Sequence, residues 1–284
     1  MTARRPAAAH FYAGDCARAT QRFLRGFSPV RHPESIVAGI VPHAGWEYSG
    51  AVAAQVFESI RRAAKPTTFV FFGATHRWSG GIAVYARGSW ATPLGAIAID
   101  EELAAGILEQ SAGFAQDNPS AHDGEHAIEV ELPFVKYLFP EAKVVPISVS
   151  PDQNAVQFGQ LVGKLLSIWP RPAVVIGSTD LTHYGDTYRY TPAGYGSRAH
   201  EWMRENDGRI LRLAEQMQAT AIVPEALRHH NACGPGAMAA TVAAASARGC
   251  ERGQLLTYTT SFDAAPDGEA AEFRMAVGYA GILY

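Results

Sequence analysis

Cysteine is scarce in this chain: only Cys16, Cys233 and Cys250 occur among 284 residues. A set so sparse and odd excludes the disulfide framework of a small secreted domain and points to a reducing compartment, so a cytoplasmic location is expected. No export signal is expected either, because Arg4 and Arg5 are followed by Pro6, a few alanines, His10 and Asp15 rather than by an apolar run. Charge is thin, at 18% of residues with a formal net charge of -3. Basic residues gather no further than pairs such as Arg61-Arg62. That leaves no electrostatic footprint for nucleic acid and favours small molecules or proteins as partners. The longest uncharged stretch, 231–247, is mostly Ala, Gly, Ser and Thr with Pro235 inside it. It is too weakly apolar to cross a membrane and is expected to form a buried, close-packed helix. Repeats, low-complexity tracts and long linkers are absent too.

Apolar residues are plentiful, at 48% of the chain, enough for one large core, and a single domain over 1–284 is expected. Short β-branched or apolar runs at 35–41, 67–72, 82–86, 143–149, 173–177, 254–260 and 274–282 read as strands. Several lack polar alternation, which suits strands covered on both faces. Helical patterns at 49–64, 101–109, 126–138, 155–168, 198–216 and 236–245 largely alternate with them. The order predicts an α/β fold with a mainly parallel central sheet layered by helices. Around Thr92-Pro93-Leu94-Gly95, residues 85–100 are expected to form a hairpin on the sheet edge.

Three of the most apolar runs finish alike: Ile40-Val41-Pro42-His43, Phe71-Phe72-Gly73-Ala74-Thr75-His76, and Val175-Ile176-Gly177-Ser178-Thr179-Asp180-Leu181-Thr182-His183. Ligands collect outside the carboxyl ends of strands in open α/β sheets, so three such ends can bring three histidines to one crevice. Taken singly, His43 or His76 reads equally well as a hydrogen-bonded histidine in a tight turn. Gly45 and Gly73, beside them, read as turn formers.

Cys233 precedes Gly234-Pro235-Gly236 and an Ala-rich helix, so helix N–H groups are expected to favour its thiolate, a good metal ligand. The alternative is a small buried hydrophobe, the reading for Cys16 and Cys250. Asp180 and His183 stand three apart, a spacing at which the carboxylate can orient the imidazole for acid–base work, or simply cap a helix. The expected metal pocket is therefore His43, His76 and Cys233, flanked by Asp180 and His183. His122, Glu125 and His126 match the H-x-x-E-H pattern of one zinc-peptidase class, but Asp123-Gly124 reads as a turn. The start of an amphipathic helix, acidic at Glu125 and Glu129, is the favoured account, with His126 lining the pocket.

Four blocks resemble a known family: Val41-Pro42-His43-Ala44-Gly45-Trp46-Glu47-Tyr48-Ser49-Gly50, Glu125-His126-Ala127-Ile128-Glu129-Val130-Glu131-Leu132-Pro133-Phe134, Ser178-Thr179-Asp180-Leu181-Thr182-His183-Tyr184-Gly185, and Cys233-Gly234. They are similar to the Memo-like proteins, known in bacteria and archaea as AmmeMemoRadiSam system protein B, over nearly the whole chain. One departure is Gly73-Ala74-Thr75-His76, where the family more often has Gly-Pro-Ser-His or Gly-Pro-Asn-His. The resemblance implies a fold like the catalytic subunit of class III extradiol dioxygenases, in which two histidines and a carboxylate hold non-haem iron while a further histidine moves protons. His43, His76, Cys233 and His183 stand at the matching positions, with Cys233 in place of the carboxylate. A thiolate there favours copper(I), zinc or thiolate-bound iron. The resemblance also implies a functional link to a radical SAM enzyme and an AMMECR-type protein.

Together these readings lead to a metal-dependent oxidoreductase. His43, His76 and Cys233 hold Fe(II), with copper or zinc as alternatives, and His183, oriented by Asp180, moves protons on a small substrate, aromatic molecules being among the candidates. Trp46, Tyr48 and Tyr184 are expected to wall an aromatic slot. A metal- or peptide-binding module without turnover, and a zinc hydrolase built on His122, Glu125 and His126, are the competing readings.

Overall fold

The computed structural model describes residues 3–12, 14–27, 35–78, 80–111, 113–265 and 272–284. In chain order the first elements are α1 (Cys16–Arg25), β1 (Ala38–Val41), α2 (Trp46–Ala63), β2 (Thr68–Gly73), β3 (Ile82–Val84), β4 (Ser89–Trp90), β5 (Ile97–Ala98) and α3 (Glu101–Gln110). They are followed by β6 (Ala115–Asp117), α4 (Leu132–Leu138), β7 (Lys143–Val149), α5 (Asn154–Ile168), β8 (Ala173–Ser178) and β9 (His183–Tyr184). The last are α6 (Ser197–Glu215), α7 (Ala219–His229), α8 (Pro235–Ala247), β10 (Gln254–Thr260) and β11 (Ala276–Leu283).

β1, β2 and β8 are buried at every position, because their unbroken apolar runs have helices on both faces of the sheet to cover them. The strand order is β10-β11-β1-β8-β2-β7-β3-β6, with β9 on β11. The central pairs β1–β8, β8–β2 and β2–β7 are parallel, while β11 joins β1 and β10, and β3 joins β7, in antiparallel fashion. The α/β reading with a mainly parallel sheet therefore holds, inside a mixed sheet whose flanks reverse direction.

The small-residue stretch at 231–247 gives α8, buried from Pro235 to Ala245. It packs on α5 on one side and on β8 on the other. Close approach there depends on glycine: a Cβ on Gly159 of α5 would stand 2.1 Å from the Ala240 carbonyl oxygen of α8. Since backbone cannot yield as a side-chain tip can, Gly159→Ala is expected to lower stability by about 2 kcal/mol, read as a fall in the midpoint of denaturant unfolding. Among the described residues no helix is long and apolar enough to cross a membrane.

Three expectations change. The helix predicted over 126–138 begins only at Leu132, after a 3-10 turn at Glu129–Glu131. Glu125 draws the backbone N–H groups of His126 and Ala127 onto its carboxylate, so that stretch turns instead of winding on. The 85–100 hairpin forms as β4 and β5, closed where Thr92 Oγ1 donates to the Gly95 carbonyl, but as a separate ribbon and not the edge of the main sheet. Finally, α1, α7, β6 and β9 were absent from the sequence reading.

Candidate metal centre

Parallel pairing sets the carboxyl ends of three neighbouring strands level with one another: Val41 of β1 faces Ser178 of β8, and Phe72 of β2 faces Gly177. His43 and His76 stand just past β1 and β2, and Asp180 just past β8, so the three ends deliver them to one place. Cys233 comes from the loop leading into α8. A Cβ on Gly234 would lie 2.7 Å from the Ser178 carbonyl oxygen, so only glycine lets this loop lie against the end of β8. There the Cys233 N–H donates to the Asp180 carbonyl at 3.1 Å and the Asp180 N–H donates to Cys233 Sγ at 3.3 Å.

One donor atom from each of His43, His76 and Cys233 lies within 4.8 Å of the others. Cys233 Sγ is 3.2 Å from His43 Nε2. Sulfur and nitrogen ligands on one tetrahedral ion stand about 3.5 Å apart, so the two donors need move little to share one.

Hydrogen bonds fix which nitrogen of each imidazole is free. Ser178 Oγ donates to the Ala127 carbonyl, so toward His43 Nδ1, 2.7 Å away, it accepts. His43 Nδ1 therefore carries the proton, and Nε2 keeps its lone pair on the side of Cys233. Glu125 imposes the same tautomer on His76, with Oε1 2.9 Å from Nδ1 and Oε2 accepting the His76 backbone N–H at 2.7 Å.

Electrostatics agree with that assignment at His43. Burial, together with the neighbouring His76, His126 and His183, holds His43 well below the usual imidazole range, so its lone pair is available. Burial works against protonated His76 too, but the hydrogen bond and charge of Glu125 prevail and its pKa rises; for Glu125, burial is likewise outweighed by His76 and the value falls to about 2. Burial pushes the Cys233 thiol up, with Asp180 adding to the effect, and burial raises Asp180 to about 7. The helix-terminus expectation of a stabilised thiolate is thus reversed, because desolvation exceeds what nearby N–H groups return. A cation beside the sulfur is what would ionise it.

His76, Glu125 and His126 form a second, overlapping group within 4.8 Å. Here Glu125 already accepts from His76 Nδ1 and from the backbone of His76, His126 and Ala127, so it acts as an orienting group with its lone pairs engaged. His126 stacks on His76 with ring centres 4.8 Å apart, and burial lowers it to about 4.

A sequence profile described as "Memo-like protein" matches residues 4–283. The chain belongs to the Memo family. The MEMO1 family protein of Thermococcus onnurineus is 36% identical over 290 residues, spanning 98% of this chain and 97% of that protein. The MEMO1 family protein of Pyrococcus furiosus is 34% identical across 100% of this chain and 99% of its own length. Among solved structures, an uncharacterized protein from Escherichia coli K12 shares the fold, with a TM-score of 0.55 at 13% identity over 86% of this chain and 99% of that one.

Within this Memo-family site, His43, His76, Cys233 and His126 come together. Asp180 and His183 are near but not paired in the expected way. Asp180 Oδ1 accepts the His43 backbone N–H at 2.8 Å, and His183 Nδ1 donates to the Leu181 carbonyl at 3.0 Å. The reason is local: the chain runs extended into β9, so residues three apart do not share a face as they would on a helix.

Two proposed wall residues belong to the core. Trp46 stacks on Phe134 at 4.0 Å and its Nε1 donates to the Val130 carbonyl. Tyr184 is one place along β9 from His183, hence on the opposite face, buried with Ala199, Met203 and Phe273. Tyr48 is 43% exposed, and the ring beside His183 is Tyr188, edge-on at 4.9 Å, which the sequence reading missed. His122 points elsewhere: it is fully buried, with Nε2 3.2 Å from the Ala83 carbonyl oxygen and its ring against Tyr85 and Trp90. It joins neither metal-capable group among the described residues.

Glu125, Ser178 and Arg4 were also missed as supports. Arg4 reaches from the N-terminal segment to Glu129 Oε2 at 2.8 Å and to the carbonyls of His122 and Glu125, both at 2.7 Å. Phe11 then stacks on His126 at 4.7 Å. Glu125 had a signal, its place one residue before His126; Arg4 had none.

Proposed function

We propose that this Memo-family chain holds one redox-active metal ion through His43, His76 and Cys233 and acts as an oxidoreductase on a small hydroxylated substrate. What supports this reading above all is that both histidines are locked in the tautomer that turns Nε2 outward, with His43 Nε2 3.2 Å from the Cys233 sulfur. Two imidazoles, each held through Nδ1, and a buried thiol suit a borderline or soft ion, so Fe(II) comes first, with copper and zinc as the competing occupants. When bound, the ion supplies electron transfer and acidifies whatever oxygen ligand it takes.

The remaining work falls to the chain's own residues. His183 keeps Nε2 as an acceptor, since its Nδ1–H is committed to the Leu181 carbonyl, and burial lowers its pKa, so it is neutral and ready to take a proton from a substrate hydroxyl. The imidazolium so formed can return that proton later, a transfer that typically contributes about 10²–10⁴-fold. Asp180 holds the His43 backbone, and Glu125 holds His76.

Metal uptake should release protons. The Cys233 thiol is protonated at neutral pH because burial raises its pKa, and it must ionise to bind, whereas His43 is already neutral. At pH 7–8 at least about one proton is expected per ion, with apparent affinity rising about tenfold per pH unit. Titration calorimetry in buffers of different ionisation enthalpy reads this directly, and a heat independent of buffer contradicts it.

The functional test is oxygen uptake. Protein loaded anaerobically with Fe(II) and then given air and a small-molecule extract of its host should consume oxygen beyond free iron. His183→Ala should lose that excess while keeping its iron. Wild-type protein that binds iron yet consumes no more than free metal would sink the oxidoreductase and leave a module that binds without turnover.

A further inference from the structure

Cys233 and His183 also border a half-open chamber of about 230 Å³ between the C-terminal end of α7 and the segment that leaves β8, with exposed Leu227 at its rim. Leu181, Ala226, Leu227 and Pro235 give it apolar walls, and the polar groups on its border are His183, His230 and Cys233. No Asp, Glu, Lys or Arg is among the described residues that line it, nor is His43 or His76. It therefore meets Cys233 apart from the two histidines of the metal centre.

The chamber wall is held in place. α7 ends at His230 in the left-handed conformation, with φ of 50°. On either side of that turn, the His229 carbonyl accepts from Asn206 Nδ2 at 2.9 Å and Tyr190 OH at 3.0 Å, and Asn231 Nδ2 donates to the Asn206 carbonyl at 2.9 Å. A space supported this way is present before any ligand arrives, as small-molecule sites usually are.

Size and lining define the occupant. An apolar cavity of about 150 Å³ takes benzene, so this one has room for a single ring with a substituent. No charged side chain among the described lining residues is there to pair an ion, so the pocket suits a neutral molecule. His183 offers a hydrogen-bond acceptor, because its Nδ1–H is bound to the Leu181 carbonyl. We propose that the chamber binds a neutral, ring-sized apolar molecule, or that arm of a larger substrate, through a hydroxyl donated to His183. The site shares His183 and Cys233 with the proposed metal centre but needs no ion.

The test uses the full-length, metal-free chain and 4-fluorophenol, followed by fluorine NMR. Saturable binding with a Kd of the order of 1 mM is expected for a probe of this size. Ala226→Phe fills the chamber from its wall, and Leu227→Trp, at a position 61% exposed and so safe for the fold, narrows it from the rim. Both variants should bind at least about tenfold more weakly, and 4-fluoroanisole, which lacks the donor, at least about fivefold more weakly in the wild type. No saturable binding by the wild type, wild-type affinity in folded Leu227→Trp, or equal affinity for the anisole each overturns the proposal. Failure of the chain to bind metal would overturn the proposed function and leave this result intact.

Discussion

Cys233→Ser is expected to bind Fe(II), or Co(II) in its place, at least about 100-fold more weakly than the native chain, while keeping its fold. Loss of an outer hydrogen-bond partner of a metal ligand typically costs about 10–100-fold, and loss of the ligand itself costs more. Serine is close to cysteine in size and leaves Gly234 unchanged, so the bond from the Gly234 N–H to Thr179 Oγ1 survives. What changes is the donor, from a polarizable sulfur that ionises under a cation to a neutral hydroxyl that does not. The proton release described above should shrink with it, and the thiolate-to-cobalt absorption should vanish. Metal titration by absorbance, with circular dichroism as the check on folding, measures both. Native affinity in the folded variant would remove the sulfur from the site.

Arg4→Ala is expected to cost about 3 kcal/mol of stability, because it leaves Glu129 as a buried carboxylate without its cation. Side chains of Arg4 and Glu129 are 8% and 2% exposed, and the pair stands at 2.8 Å, so solvent does little to replace the lost partner. Arg4 also holds the carbonyls of His122 and Glu125 and lies 4.0 Å over the Trp90 ring. Its removal therefore loosens the segment that carries Glu125 and His126. The unfolding midpoint should fall by roughly 5 °C, with metal affinity falling less than in Cys233→Ser. A shift within about 2 °C would mean that Glu129 is satisfied by its bonds to Ala7, Ala8 and Tyr12 alone.

How much of this was legible in the sequence follows from the range of the interactions involved. Unbroken apolar runs ending in histidine marked β1, β2 and β8, and parallel register does the rest, which is why His43 and His76 could be named together. Cys233 was legible through the small residues around it, and the family resemblance pointed the same way. Side-chain direction was not. Trp46 and Tyr184 sit beside site residues in sequence, yet Trp46 packs on Phe134 and Tyr184 faces away from His183. Asp180 was assigned to His183 on a helical spacing that the extended chain does not have. The supports Ser178 and Arg4 act through contacts with Ala127 and Glu129, more than 50 and 120 positions away, and no local pattern announces such pairs.

The two overlapping donor groups make one measurement decisive. Crystals of the protein loaded anaerobically with Fe(II) should show, in anomalous differences across the iron edge, one peak bonded to His43 Nε2, His76 Nε2 and Cys233 Sγ. A peak held instead by Glu125 and His126, with the Cys233 sulfur unbound, would contradict the account.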